Sequence, residues 1–259
     1  MLPVAMTIAG SDPSGGAGLQ ADLKTFHQHR VYGTSVVTLL TVQNTRGVQF
    51  VRFIEPDLVL AQLDAVLSDL PPQAAKTGAL GDAAILEAVA GRAASFRFPL
   101  VVDPVMISKH GASLIDPDAV DVLRRRLLPQ AFLATPNRAE AAALAEMDIA
   151  DVAAMELAAS RIGSLGPRHV LVKGGSLEGD AVDVLWSEGR ITRLPAAKID
   201  TPNTHGTGCV FSAAVTALLA RGESLSAAVT LAKQFISRAI SSNPGLGHGR
   251  GPVNMHAEI

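Results

Sequence analysis

Cysteine occurs once in 259 residues. A single thiol excludes an intramolecular disulfide and any cysteine-based zinc site. Aromatic side chains make up only 4% of the chain, with one Trp and one Tyr, so the 48% apolar content rests largely on Ala, Val and Leu. The mean hydropathy of +0.28 fits an aliphatic core and identifies no function. No run of about 18 uninterrupted apolar residues occurs. The first ten residues lack the basic segment of a secretory signal. Excess charge of one sign is missing too: the formal net charge is −2, which gives no reason to expect nucleic acid or an anionic membrane surface as a partner. No lysine directly follows a glycine, so a Walker A loop is ruled out. No internal repeat, linker or low-complexity stretch stands out. These absences predict a soluble, cytoplasmic, single domain over residues 1–259, long enough to bury a deep core.

What is present concentrates in residues 200–209, Asp-Thr-Pro-Asn-Thr-His-Gly-Thr-Gly-Cys, and in the apolar run behind them, residues 210–220. That run holds strong helix formers without Gly or Pro. Gly206-Thr207-Gly208-Cys209 is therefore a glycine-broken loop feeding a helix start. Unpaired N–H groups and a partial positive charge gather there, and glycine lets an anion approach closely. The pattern equally suits an ordinary helix start whose glycines serve the turn. Cys209 falls in the first turn, where the helix N-terminus is expected to stabilise a thiolate. A small buried structural cysteine is the alternative.

Along the chain, strand-like and helix-like stretches alternate. Residues 4–9 are a short apolar run closed by Gly10-Ser11-Asp12-Pro13-Ser14-Gly15-Gly16, followed by a helical pattern over 17–29 with Leu19, Leu23 and Phe26 on one face. Residues 34–42 are β-branched and apolar and predict a strand, followed by Gln43-Asn44-Thr45. An amide such as Gln43 offers a donor beside an acceptor, which suits an aminopyrimidine edge, though a solvated loop residue would look the same. Residues 48–53 read as an exposed strand, part of a flap or dimer surface, and 57–70 as a helix with Asp57 near its start. A strand-like run over 74–80 and a helix over 82–95 follow.

Residues 100–106 form an apolar run containing Asp103-Pro104. A carboxylate at the end of a parallel strand faces a ligand crevice, whereas Asp-Pro alone also marks a turn. Asp116-Pro117 suits the start of a helix to about Leu127, with Arg124-Arg125-Arg126 as its solvated, dipole-compensating end. Residues 132–136 run into Asn137-Arg138-Ala139-Glu140, which reads as a capping box in its broader sense. A helix over 151–165 precedes the strand His169-Val170-Leu171-Val172, and Lys173-Gly174-Gly175 puts a cation within reach of a phosphate. A hairpin around Glu188-Gly189 and a last helix capped by Ser224, to about Ile240, complete the pattern. This alternation predicts a mostly parallel sheet covered on both faces by helices.

Several of these blocks, in order, resemble the hydroxymethylpyrimidine/phosphomethylpyrimidine kinases of thiamin synthesis, within the ribokinase-like superfamily. Residues 203–209 look like that family's carboxyl-terminal signature, in which Cys stands where many sugar kinases of the superfamily place a catalytic Asp. Residues 9–18 with Asp22, the Thr41-Val42-Gln43-Asn44-Thr45 block, residues 101–106 with Lys109-His110-Gly111, and residues 170–175 also match, as does the tail 247–253. Many relatives have Ile and Met where this chain has Thr77 and Ala79, so the resemblance implies a reshaped wall near the substrate ring. The resemblance implies a ribokinase-like three-layer α/β/α fold, use of ATP and Mg²⁺, a homodimer, and phosphorylation of 4-amino-5-hydroxymethyl-2-methylpyrimidine and then of its monophosphate. Cys209 and Lys173 would be catalytic. Gln43, Gly10, Asp22 and Val105 would bind the pyrimidine. Gly206, Thr207, Gly208 and Asn137, again with Lys173, would hold phosphate, and Asp103 and Glu140 the metal, Glu140 through water. A pyridoxine/pyridoxal kinase of the same superfamily is the alternative.

Overall fold

The computed structural model describes residues 2–106, 115–175 and 181–259. Lys109-His110-Gly111 lies outside them. Among the described residues the strands form one sheet in the order β3-β2-β1-β4-β5-β6-β7-β8-β9. These are β1 (Val4–Ser11), β2 (Tyr32–Asn44), β3 (Gly47–Phe53), β4 (Ala74–Thr77), β5 (Leu100–Val102), β6 (Leu133–Ala134), β7 (His169–Val172), β8 (Asp183–Ser187) and β9 (Arg190–Leu194). From β2 to β7 every pairing is parallel. The antiparallel strands β3, β8 and β9 close the two edges.

The helices are α1 (Gly18–Gln28), α2 (Pro56–Asp69), α3 (Ala83–Ala93), α4 (Pro117–Val122), α5 (Arg138–Ala145), α6 (Val152–Gly163), α7 (Thr207–Ala220) and α8 (Leu225–Ser241). Their layering follows from strand periodicity, because successive side chains of a strand point to opposite faces. On one face Met6, Ala75, Leu100, Val102, Ala134 and Val170 meet α2 to α6. On the other, Ala5, Ala74, Val101, Leu133 and Leu171 meet α1, α7 and α8. Strands buried on both faces read as continuous apolar runs, as these do. Helix α7 lies inside the second layer, with every residue from Val210 to Ala220 buried. Its lack of a polar stripe is what a fully enclosed helix requires.

Two local expectations change. Strand β2 extends through Asn44, so Gln43 sits on a strand instead of a loop. The helix expected to run from Asp116 to about Leu127 is α4 followed by a π-helical turn over Leu123–Leu127. Asp116 takes the N-cap position without a side-chain cap bond.

Candidate active site

The chain leaves β1 outward to β2 and then returns to the other side of β1 at β4. At such a switch the loops at the carboxyl ends of the strands diverge and leave a crevice. A cleft of about 750 Å³ opens there. All the residues singled out above as site candidates line it: Gly10, Asp22, Gln43, Asp103, Val105, Asn137, Glu140, Lys173, Gly206, Thr207, Gly208 and Cys209.

At the cradle, Gly206 is the N-cap of α7 with φ of 78°, and no side chain caps the helix. A Cβ on Gly206 would lie 1.8 Å from the Gly16 carbonyl oxygen, so the second glycine-rich loop is pressed backbone to backbone on the first. A Cβ on Gly208 would come within 3.2 Å of Lys173 Nζ and 3.8 Å of Asp103 Oδ2. The cradle thus abuts a buried ion pair, in which Lys173 Nζ donates to Asp103 Oδ1 at 3.0 Å. Ser212, one turn into α7, donates to Asp103 Oδ2 at 3.0 Å. Burial pushes the Asp103 carboxyl up, but Lys173 and Lys76 outweigh it and hold the group below the usual carboxylate range.

Asn137 and Glu140 form the capping box in full. Asn137 Oδ1 accepts from Glu140 N at 3.0 Å, and Glu140 Oε2 accepts from Asn137 N at 2.7 Å. The structural account of this pair is therefore correct. Glu140 nonetheless faces the cleft beside Lys173 and Asp103. Burial pushes its carboxyl up to about 7, with Lys173 opposing and Asp103 adding to the shift.

Asp22 is wholly buried beneath the cleft. It accepts from Thr7 Oγ1 at 2.6 Å and from Lys76 Nζ at 2.8 Å. Burial pushes Asp22 up, while Asp22 and its neighbours keep Lys76 charged against its own burial. We take the pair as ionised, since Lys76 is held charged and both carboxylate oxygens have donors. Lys76 also acts on Cys209.

The expectation of a stabilised thiolate is corrected here. Burial pushes the Cys209 thiol up to about 12, Lys76 and a hydrogen bond from Gly18 N oppose this, and Asp22 and Asp103 add to it. A helix N-terminus contributes about 0.3–1 kcal/mol at a typical exposed site, too little to offset the loss of hydration of this half-buried thiol at the foot of the cleft. Thr77 is corrected as well. It is fully buried and absent from the cleft lining, where Ala79 is present. Strand alternation turns Lys76 toward the site and Thr77 to the opposite face of the sheet.

Around Gln43, His205 Nε2 lies 3.3 Å from the side-chain amide and 2.8 Å from Asp12 Oδ2. A Cβ on Gly10 would meet Leu39 Cδ1 at 2.5 Å, so Gly10 leaves room for that side chain behind the wall.

Sequence reasoning missed Lys76, although a lone charge inside the apolar run 74–80 was a visible signal. It also missed Asp183 and Lys233. Lys233 Nζ donates to Asp183 Oδ2 at 2.6 Å and to the Ala181 carbonyl at 2.9 Å, while Asp183 Oδ1 accepts from Gly174 N at 2.8 Å. That clamp fixes the residue following Lys173. Nothing in the sequence pairs positions 50 apart on a strand and a distant helix.

A family model described as phosphomethylpyrimidine kinase matches residues 12–254. The hydroxymethylpyrimidine/phosphomethylpyrimidine kinase of Synechococcus elongatus is 51% identical over 254 residues, which span 97% of each chain. Among solved structures, the phosphomethylpyrimidine kinase of Clostridium difficile 630 is 40% identical with a TM-score of 0.82, covering 92% of this chain and 99% of that one. The ADP complex of Bacillus subtilis pyridoxal kinase is 40% identical with a TM-score of 0.92, covering 99% and 98%.

Proposed function

The chain belongs to the phosphomethylpyrimidine kinase family, and from that premise we propose that it transfers the γ-phosphoryl group of ATP to the hydroxyl of 4-amino-5-hydroxymethyl-2-methylpyrimidine and then a second phosphoryl group to the monophosphate. The observation that carries this reading is the meeting of Lys173, Asp103 and the Gly206-Thr207-Gly208 turn in the cleft that also holds Gln43. Phosphoryl transfer needs positioning and charge neutralisation more than covalent help. The backbone of residues 206–208 receives the transferring group, Lys173 spreads its charge, Gln43 and Val105 hold the ring, and Asn137 fixes Glu140 at the phosphate side. Asp22 keeps Lys76 in place under the ring instead of reaching the ring itself. Cys209 is the candidate acceptor for the proton of the substrate hydroxyl.

Mg²⁺ fits the donor set. Among the described residues no group of three or more His, Cys, Asp or Glu is arranged as a cage, and Mg²⁺ characteristically binds through one or two carboxylates, phosphates and its own waters. Asp103 and Glu140 would hold it, and it would supply further neutralisation of phosphate charge.

Leu40, Val42 and Phe50 stand exposed on the outer side of β2 and β3 and suit the contact of a homodimer, which light scattering would measure. No helix among the described residues is long and apolar enough to cross a membrane, which fits the proposed cytoplasmic site of action.

Steady-state kinetics with ATP tests the substrate assignment. The expected result is a higher kcat/KM for the hydroxymethylpyrimidine than for pyridoxine. The likeness to a pyridoxal kinase supports a second reading, and the reverse preference would establish that one instead.

A further inference from the structure

Gln43 lies between two groups whose hydrogens can be placed by accounting. His205 Nε2 is 2.8 Å from Asp12 Oδ2 and 3.3 Å from Gln43 Nε2. Thr41 Oγ1 is 2.9 Å from the Ser11 carbonyl oxygen and 3.4 Å from Gln43 Oε1. An ionised carboxylate only accepts hydrogen bonds. Burial pushes Asp12 up, but His205 and Ser14 outweigh it and hold the carboxyl below its usual range, so it is ionised at neutral pH. His205 Nε2 therefore carries a hydrogen, whether the ring is neutral or charged. The single hydrogen of the Thr41 hydroxyl goes to the Ser11 carbonyl, which also only accepts. His205 thus shows Gln43 an N–H, and Thr41 shows it lone pairs.

The two ends of an amide are distinguished by their partners and not by their shape. With nitrogen toward His205 and oxygen toward Thr41, both contacts set like against like. Exchanging the two ends satisfies both at once. We infer that His205 and Thr41 lock the Gln43 amide with its carbonyl on the His205 side and its NH₂ on the Thr41 side, making Asp12, His205 and Thr41 positioning residues that fix the order in which donor and acceptor face the cleft. This rests on the reading that Gln43 meets the ring edge of the substrate.

The fixed order selects between two rings of nearly equal shape. A 4-aminopyrimidine offers an exocyclic N–H donor beside a ring-nitrogen acceptor. The corresponding pyrimidin-4-one offers a carbonyl acceptor beside a ring N–H donor, which is the reverse. With the ring direction set by the hydroxymethyl group, a locked amide pairs fully with the first and sets like against like with the second. An amide free to turn would accept both.

The test is kcat/KM for 4-amino-5-hydroxymethyl-2-methylpyrimidine and for its 4-oxo analogue in the wild type, Thr41→Val, His205→Phe and Gln43→Ala. The wild type is expected to favour the amino compound by about 10–100-fold, the effect of leaving buried polar groups unpaired. Thr41→Val and His205→Phe should each narrow that ratio at least threefold, whereas a merely structural lesion would lower both values together. Gln43→Ala should abolish the preference. If Gln43→Ala abolishes it and both other variants retain it in full, the lock is wrong and Gln43 still reads the ring. If Gln43→Ala retains it, the reading of Gln43 falls and the lock with it. Should His205→Phe not fold, ¹⁵N NMR of the wild type decides that half of the lock: Nε2 protonated is expected, and Nε2 bare overturns it.

Discussion

Asp12 Oδ2 and His205 Nε2 lie 2.8 Å apart although 193 positions separate them in the chain. The same carboxylate accepts from Ser14 N, Ser14 Oγ and Ala17 N. One side chain thus folds the first glycine-rich loop, closes the start of α1 and fastens the loop that carries the cradle. Asp12→Asn should lower stability by about 1–3 kcal/mol at neutral pH, the effect of weakening buried hydrogen bonds. The folded-state pKa of Asp12 is depressed, so its contribution is complete above the unfolded-state value and is lost as pH falls through the folded one. Urea unfolding as a function of pH should show a constant gap between wild type and variant above about pH 5, shrinking below about pH 4. A gap that widens in acid would contradict this.

Lys173 and Asp103 pair at 3.0 Å with little access to water, Asp103 being 2% exposed and Lys173 16%. Removing one partner of a buried pair costs about 3–5 kcal/mol because a charge is left without its counter-ion. Lys173→Met should therefore lower both turnover and melting temperature. The double variant Lys173→Met/Asp103→Asn should regain much of the stability and none of the turnover. An unchanged melting temperature in Lys173→Met would show that the pair carries no structural weight.

Glu140 bears on pH and metal together. Its folded-state carboxyl sits at about 7, above its ordinary 4.5, so the unfolded state loses its proton first and stability falls as pH rises between those values. Gln can replace Glu in a capping box, so Glu140→Gln should keep the box and gain stability over wild type as pH climbs from about 5 to about 7. In activity assays the same variant should need more Mg²⁺ for half-maximal rate. Equal Mg²⁺ requirements would remove Glu140 from the metal site.

Cys209 separates the two phosphorylations. An alcohol holds its proton about as tightly as water, near 15.7, and gains about 10²–10⁴-fold from a base, whereas a phosphate monoester, with its second pKa about 6, arrives ionised. Cys209→Ala should damage the first step far more than the second. With the thiol at about 12, its thiolate fraction grows about tenfold for each unit of pH below that value, so the first step should accelerate through the alkaline range in wild type and stay flat in the variant. Parallel pH profiles for both enzymes would show that Cys209 shapes the cradle without taking a proton.

Much of this was legible because it is local. Strand and helix periods gave the layered sheet, and Asn137 with Glu140 announced a capping box that is present in both halves. Asp103 and Lys173, each just past an apolar run, fell at strand ends as a parallel sheet requires. What stayed hidden depends on layers meeting. The Asp183–Lys233 clamp exists only once α8 packs near β8. The state of Cys209 depends on how much protein encloses α7, which no rule about helix ends contains. Thr77 and Ala79 differ in consequence because β4 ends at Thr77, which is buried in the sheet, whereas Ala79 lies past the strand end, beside the cleft.

The enclosure of α7 has a mechanical consequence. Its first turn carries the glycine cradle and Cys209, and the rest of it is a shaft seated in the core, with Ala213, Ala214 and Ala217 at 0% exposure. Close-packed interiors transmit strain and do not absorb it. Enlarging one of those alanines would push on a rod whose tip is the reaction centre, so the displacement would register in turnover even at a distance from any substrate. Filling and active-site geometry are here one rigid part.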